Sequence, residues 1–163
     1  MSRSRTPFCG FLLSVLAVPA VAETAIKPVP PFECQKFAVL LGKASGMKLD
    51  GSEQDAPTYP DGLRGKACRM SASATGLTVP FEKAESRIDA ALKGLKGWAH
   101  DGAYDADGPL ATTKVFAKDE KRVVYSLAKE PPKGSCTDDR PIGDCKLAAK
   151  RWVWSFSASV YMQ

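Results

Sequence analysis

Residues 80–97, PFEKAESRIDAALKGLKG, have the strongest helical pattern in this 163-residue chain. Their apolar side chains recur at steps of three and four and therefore share one stripe, which runs through Phe81, Ala84, Ile88, Ala91, Leu92, Leu95 and on to Trp98. Pro80 suits a first turn because its missing N–H has no helical partner there. Gly97 can close the helix in the left-handed conformation. A helix of this length is marginal alone in water, so we expect its stripe to pack against the rest of the chain.

A second helical pattern and four strand patterns supply that packing surface. Residues 32–45 predict a shorter N-terminal helix that ends at Gly46. Alternating apolar and polar residues, typical of strands with one buried face, occupy residues 66–75, 111–118, 122–129 and 150–162. We predict an α+β fold, in which an antiparallel sheet of about four strands carries one long helix and the shorter helix on one face. The C-terminal strand, with Trp152 and Trp154 in its buried phase, is placed at the sheet edge, where a partner strand could add.

The N-terminus has the pattern of a secretory signal peptide. Arg3 and Arg5 precede a short apolar run at residues 8–18, and Ala20-Val21-Ala22 is an A-x-A cleavage site. We place cleavage after Ala22, so residues 1–22 are removed and the mature protein is periplasmic or secreted. A membrane-spanning helix needs about 20 apolar residues, and this run is shorter, so we predict no membrane span in the mature protein. An uncleaved N-terminal anchor is the alternative.

The mature chain is predicted to form a single domain after a short lead. Residues 23–31 contain three prolines and little apolar content, which is typical of a disordered, extended segment. Residues 32–163 have the length of one α+β domain. The formal net charge of +5 falls to +3 without the two arginines of the signal peptide. No cluster of Lys and Arg is interleaved with aromatics, so we predict no nucleic-acid partner.

Four cysteines remain in the mature chain, and an even number in an oxidising compartment predicts two disulfides. Cys136 and Cys145 flank a short polar loop, so we pair them with each other and pair Cys34 with Cys68. A four-cysteine zinc site would show close C-x₂₋₄-C pairs, which are absent. A redox role for Cys136 and Cys145 is disfavoured because eight residues separate them, where reactive pairs have two. We predict no metal and no cofactor.

The segment 98–109 is rich in polar groups that could do chemistry. His100 is the only histidine of the chain and adjoins Asp101, which suggests a small hydrolase, although no serine lies in a G-x-S-x-G sequence. Asp101, Asp105 and Asp107 do not match the spacing of an EF-hand loop, so turns around the neighbouring glycines are favoured over a weak calcium site.

These observations favour a non-catalytic binding or accessory domain, such as a protein inhibitor, whose partner is another envelope or extracellular protein. Turn-rich segments at 48–65, 98–109 and 136–145 are the predicted contact surfaces, with 48–65 favoured as a mobile loop over a binding element. The residues of the predicted binding surface are Trp98, His100, Asp101, Tyr104, Asp105 and Asp107. We leave open whether the chain is an enzyme, although these observations argue against one. The alternatives are a small hydrolase using His100 and Asp101 and a purely structural envelope protein.

Overall fold

A computed structural model describes residues 25–56, 63–136 and 145–163 of the chain. Within these residues the chain forms seven strands and two α-helices. The strands are β1 (Ala25–Pro28), β2 (Ser52–Asp55), β3 (Arg64–Thr75), β4 (Ala99–Gly108), β5 (Ala111–Lys118), β6 (Lys121–Glu130) and β7 (Val153–Met162), and the helices are α1 (Pro31–Ser45) and α2 (Phe81–Lys93). The predicted count of about four strands is therefore wrong. The predicted signal peptide, residues 1–22, lies outside the described residues.

All seven strands belong to one mixed sheet with the order β2-β3-β1-β7-β6-β5-β4. Strands β4 to β7 form an antiparallel meander, and β7 also pairs antiparallel with β3 from Cys68↔Val160 to Thr75↔Val153. The short β1 lies between the start of β3, to which it is parallel, and the end of β7, to which it is antiparallel. The parallel pair corrects the prediction of a purely antiparallel sheet. Strand β7 is central, so its predicted edge position is also wrong.

Three of the strands lie in segments that we did not predict to be strands. Strand β1 lies in the predicted disordered lead, β2 in the predicted loop at 48–65, and β4 in the predicted turn-rich connection at 98–109. Strand β2 reads Ser-Glu-Gln-Asp, and β4 contains three aspartates and two glycines, which are residue types depleted in strands. Both strands lie at edges of the sheet, and most of their side chains are exposed. Their backbones are ordered by hydrogen bonding to a neighbouring strand, and a local sequence pattern does not report that pairing.

Strand β1 docks where β3 has a glycine. Gly65 has φ 140°, a backbone conformation that side chains other than hydrogen rarely adopt. A Cβ at this position would overlap the carbonyl oxygen of Ile26 in β1. The close parallel approach of the two strands therefore depends on Gly65.

The two helices confirm the predicted elements but reverse their relative lengths. Helix α1 has 15 residues and ends at Gly46, as predicted. Helix α2 has 13 residues and ends at Lys93, so it is shorter than the predicted helix over 80–97. Backbone hydrogen bonds from Leu95 and Trp98 then form a turn, in which Gly97 has φ 84°. This early end of α2 directs the following residues back toward α1.

Both helices pack on the same face of the sheet, as predicted. The largest side chains of this core are fully or almost fully buried and come from both layers: Phe37, Leu41, Phe81, Ile88, Leu92, Phe116, Tyr125, Leu127, Trp154 and Phe156. The opposite face carries small polar residues, with Ser71, Ser157, Ser126 and Thr113 in one row across four strands. Among the described residues, no helix has the length and apolar content to cross a membrane.

Both predicted disulfides are present. Cys34 in α1 is bonded to Cys68 in β3 with a Cα–Cα distance of 5.6 Å, and this bridge ties the helix to the sheet. Cys136 is bonded to Cys145 with a Cα–Cα distance of 5.8 Å. The loop that this second bridge closes, residues 137–144, lies outside the described residues.

Candidate functional site

An apolar groove lies between α1 and the turn that follows α2. It has a volume of about 430 Å³ and is lined by Phe32, Glu33, Lys36, Phe37, Leu40, Leu95 and Trp98. The turn after Lys93 brings the indole of Trp98 edge-on to the ring of Phe37, with ring centroids 5.4 Å apart and an interplanar angle of 75°. This is a favourable aromatic geometry, and it makes Trp98 a supported wall of the groove.

The groove exposes a large apolar side chain to solvent. Phe32, at its rim, is 64% exposed, and Val39 on the same helix is 57% exposed but does not line the groove. Ligand sites in proteins are typically concave, about 300–1,000 Å³ in volume, and mainly apolar with a few placed polar groups. The groove has this character, because five of its seven lining residues are apolar or aromatic.

Two charged residues of α1 lie in the groove, and their surroundings differ. Glu33 accepts hydrogen bonds from the ammonium of Lys121 at 2.7 and 2.8 Å, so its charge is compensated. The ammonium of Lys36 lies 5.2 Å from the ring centroid of Phe32, in cation–π contact. No carboxylate of the described residues forms an ion pair with Lys36. Lys36 is therefore the uncompensated charge of the groove.

A second polar site, the charged cluster, joins α2 to the sheet and consists of Glu85, Asp89, Lys114 and Tyr125. The ammonium of Lys114 lies 2.5 Å from Glu85 Oε1 and 3.2 Å from Asp89 Oδ2. The hydroxyl of Tyr125, a fully buried residue, donates a hydrogen bond of 2.5 Å to Asp89 Oδ1. Each polar side chain of the cluster therefore has a partner in the cluster.

The pKa values of the cluster indicate a structural role. Burial lowers the pKa of Lys114, but hydrogen bonds and charge interactions with Glu85 and Asp89 outweigh it, and the net pKa lies above its usual value. Burial, together with the hydrogen bond to Asp89, raises the pKa of Tyr125 far above its usual value. A general base works best with a pKa near the operating pH. These two groups instead hold their protons firmly and fasten α2 to β5 and β6.

The structure separates the residues of the predicted binding surface. Trp98 lines the groove, whereas the other five residues lie along the edge strand β4. His100 Nε2 lies 2.9 Å from Asp105 Oδ2, and its ring contacts Phe116. The predicted neighbour of His100, Asp101, instead accepts a hydrogen bond from the backbone of Ala103. Within the described residues, no hydroxyl group hydrogen-bonds His100.

The remaining residues of β4 do not converge either. Asp107 accepts a hydrogen bond of 2.5 Å from the hydroxyl of Thr112, and Tyr104 is 43% exposed. In the part of the chain that the structure describes, no three or more His, Cys, Asp or Glu side chains are grouped so that they could hold a metal ion. The three aspartates of the weak calcium site have separate partners: Asp101 is hydrogen-bonded to Ala103, Asp105 to His100 and Asp107 to Thr112.

The sheet edges are poorly suited to strand addition. Strand β2 is only four residues long and includes Glu53 and Asp55, and β4 carries its three aspartates and a break in register between Asp101 and Ala106. Short strands, charged side chains and bulges are the usual means by which edge strands avoid pairing with other chains. The groove is therefore the better candidate for a binding site.

Among the groove residues, Trp98 alone belongs to the binding surface that we predicted from the sequence. Phe32 and Val39 are seven positions apart on α1 and lie outside the buried face formed by Cys34, Phe37, Ala38 and Leu41. A helix needs no large apolar side chain on its solvent face, and of these two residues Phe32 lines the groove, so Phe32 was the available signal.

No protein-family model matches this chain, and no curated protein or solved structure gives a match.

Proposed function

We propose that the chain is an exported, non-catalytic binding domain whose groove receives the apolar group of a ligand. The observation that carries this proposal is the concave, mainly apolar groove of about 430 Å³, with Phe32 exposed at its rim and Trp98 as a wall. Exposed apolar side chains in a concave setting gain free energy when a ligand removes them from water.

The arrangement of polar groups elsewhere supports binding over catalysis. Lys114 and Tyr125 are held in their protonated forms by carboxylates, and His100 is paired with Asp105 at an exposed edge strand. None of these groups lines the groove. The groove itself has apolar walls, one carboxylate that is already bonded to a lysine, and one ammonium group. This set can bind a ligand.

Export is the second part of the proposal. The basic start, short apolar run and A-x-A site of residues 1–22 predict a secretory signal peptide. Two disulfides within the described residues fit an oxidising compartment, because such bonds form and persist there. The mature chain, beginning at Glu23, is accordingly the form to test.

Titration of the ¹⁵N-labelled mature chain with the neutral aromatic probe 2-naphthol tests the binding function. We expect the largest changes in NMR chemical shift in residues 32–40 and 95–98. Phe32→Ser should lower the affinity for 2-naphthol about threefold or more, because it removes the apolar rim of the groove. Phe32 is mostly exposed, so the free energy of unfolding should stay within about 0.5 kcal/mol of the wild-type value.

Val39→Ser is the matched control, since it removes a similarly exposed apolar side chain from the same helix but outside the groove. We expect it to leave the affinity for 2-naphthol unchanged. Chemical shift changes centred on the serine-rich face of the sheet, or equal weakening by both variants, would contradict the proposal.

A further inference from the structure

We propose that the ligand of the groove is an amphiphilic anion, a small molecule with one aliphatic or aromatic group and one carboxylate. This inference rests on the proposed binding function and adds the chemical class of the ligand. It follows from the charges around the groove, from its size and from the chemistry of its walls.

Lys36 is the cation that lines the groove. Its ammonium lies over the ring of Phe32 at the groove, whereas the groove's own carboxylate, Glu33, is bonded to Lys121. An anion placed at Lys36 would therefore meet a free cation without competing for Glu33. An apolar ligand without a charge would form no ion pair with this ammonium group.

A second cation lies close by. The ammonium of Lys118 donates a hydrogen bond of 3.0 Å to the carbonyl oxygen of Lys96, in the turn between Leu95 and Trp98. No carboxylate of the described residues forms an ion pair with Lys118. Together, Lys36, Lys118 and the bonded pair of Glu33 and Lys121 therefore carry a net positive charge, which favours negative ligands and disfavours cationic ones.

Size and symmetry favour a small molecule over a second copy of this chain. A volume of about 430 Å³ lies toward the lower end of the range for small-molecule sites. A two-fold contact through the groove would bring the same patch of each copy together. Two copies of Lys36 would then approach each other, and the groove's carboxylate, Glu33, is already bonded to Lys121, so the like charges would repel.

Three probes with the same alkyl chain separate the contribution of charge to the affinity from that of apolar contact. They are decanoate, 1-decanol and decylammonium, each used below its critical micelle concentration. Their binding to the mature chain is measured by calorimetry, with the NMR signal of the Trp98 indole reporting the groove. We expect decanoate to bind about fivefold more tightly than 1-decanol, and decylammonium more weakly than both. Higher ionic strength should reduce the preference for decanoate.

The Lys36→Met variant removes the ammonium while keeping an unbranched apolar side chain. We expect it to lower the affinity for decanoate about fivefold and to leave the affinity for 1-decanol unchanged. Lys43→Met is the matched control, because Lys43 lies in the last turn of the same helix and does not line the groove. This control should bind all three probes as the wild type does.

The contrary outcomes are distinct. Equal binding of the three probes at the groove, tightest binding of decylammonium, or no effect of Lys36→Met would overturn the anionic class and leave the binding function standing. A dimer that forms through the groove at working concentrations would also overturn it, in favour of a second copy. Failure of every probe to move the Trp98 signal would count against the binding function itself.

Discussion

The charged cluster and the groove both lie where a helix meets other parts of the fold, but their side chains are satisfied to different degrees. In the cluster, Lys114 contacts the carboxylates of both Glu85 and Asp89, and Tyr125 donates a hydrogen bond to Asp89. In the groove, Phe32 is exposed and Lys36 has no ion-pair partner among the described residues.

This difference indicates which region stabilises the fold and which is available to a ligand. Polar groups in a low-dielectric site strengthen a structure only when every member has a partner, and the cluster meets that condition. Exposed apolar groups in the groove add little to stability, and a ligand can still bury them. Three measurements test this difference between the charged cluster and the groove.

The largest effect should come from the disulfide that ties α1, the helix of the groove, to β3. We expect the Cys34→Ser/Cys68→Ser double variant to lose about 4 kcal/mol of unfolding free energy, because the bridge spans 34 residues and longer loops restrict the unfolded chain more. The Cys136→Ser/Cys145→Ser variant, spanning 9 residues, should lose about 2.5 kcal/mol. Urea denaturation measures both values, and an equal or reversed order would contradict this explanation.

The next effect should come from Asp89→Ala, which removes the acceptor shared by Lys114 and Tyr125 in the cluster. We expect a loss of about 3 kcal/mol, because a largely buried ammonium group and a buried hydroxyl would each lose a partner. Glu82→Ala, at an exposed position of the same helix, is the control and should change stability by less than about 0.5 kcal/mol. If Asp89→Ala were as mild as the control, the cluster would not stabilise the fold.

The smallest effect concerns alkaline pH. The folded-state pKa values of Lys114 and Tyr125 lie above their ordinary values of 10.5 and 10.0. Above about pH 10 the unfolded chain therefore loses protons that the folded chain retains, so stability should fall as pH rises. Each group contributes at most about 1.4 kcal/mol per pH unit.

Urea denaturation at a series of pH values between about 9 and 11 measures this slope. Tyr125→Phe should make it shallower, since only Lys114 of the two groups remains to titrate. A slope that Tyr125→Phe leaves unchanged would show that the hydroxyl is not held by Asp89 as the structure indicates.

Periodicity in the sequence was sufficient to predict the helices and strands that have one buried and one solvent-exposed face. The alternation in 66–75, 111–118, 122–129 and 150–162 predicted β3, β5, β6 and β7 closely, and steps of three and four predicted both helices. It was insufficient for the end of α2, because Leu95 and Trp98 continue the helical spacing although the backbone already turns after Lys93. Their apolar character reflects burial at the groove, which a turn can provide as well as a helix.

Local patterns in the sequence, or a short list of choices, were enough to predict the α+β class, the two helices, the strands β3, β5, β6 and β7 and the pairing of the cysteines. The tertiary structure was needed to find the three additional strands, the parallel pair at Gly65, the groove and the charged cluster. These features depend on residues far apart in the chain, such as Asp89 and Tyr125, which are 36 positions apart. Backbone pairing at an edge and the partner of a charged side chain are set by such long-range contacts, and no local periodicity encodes them.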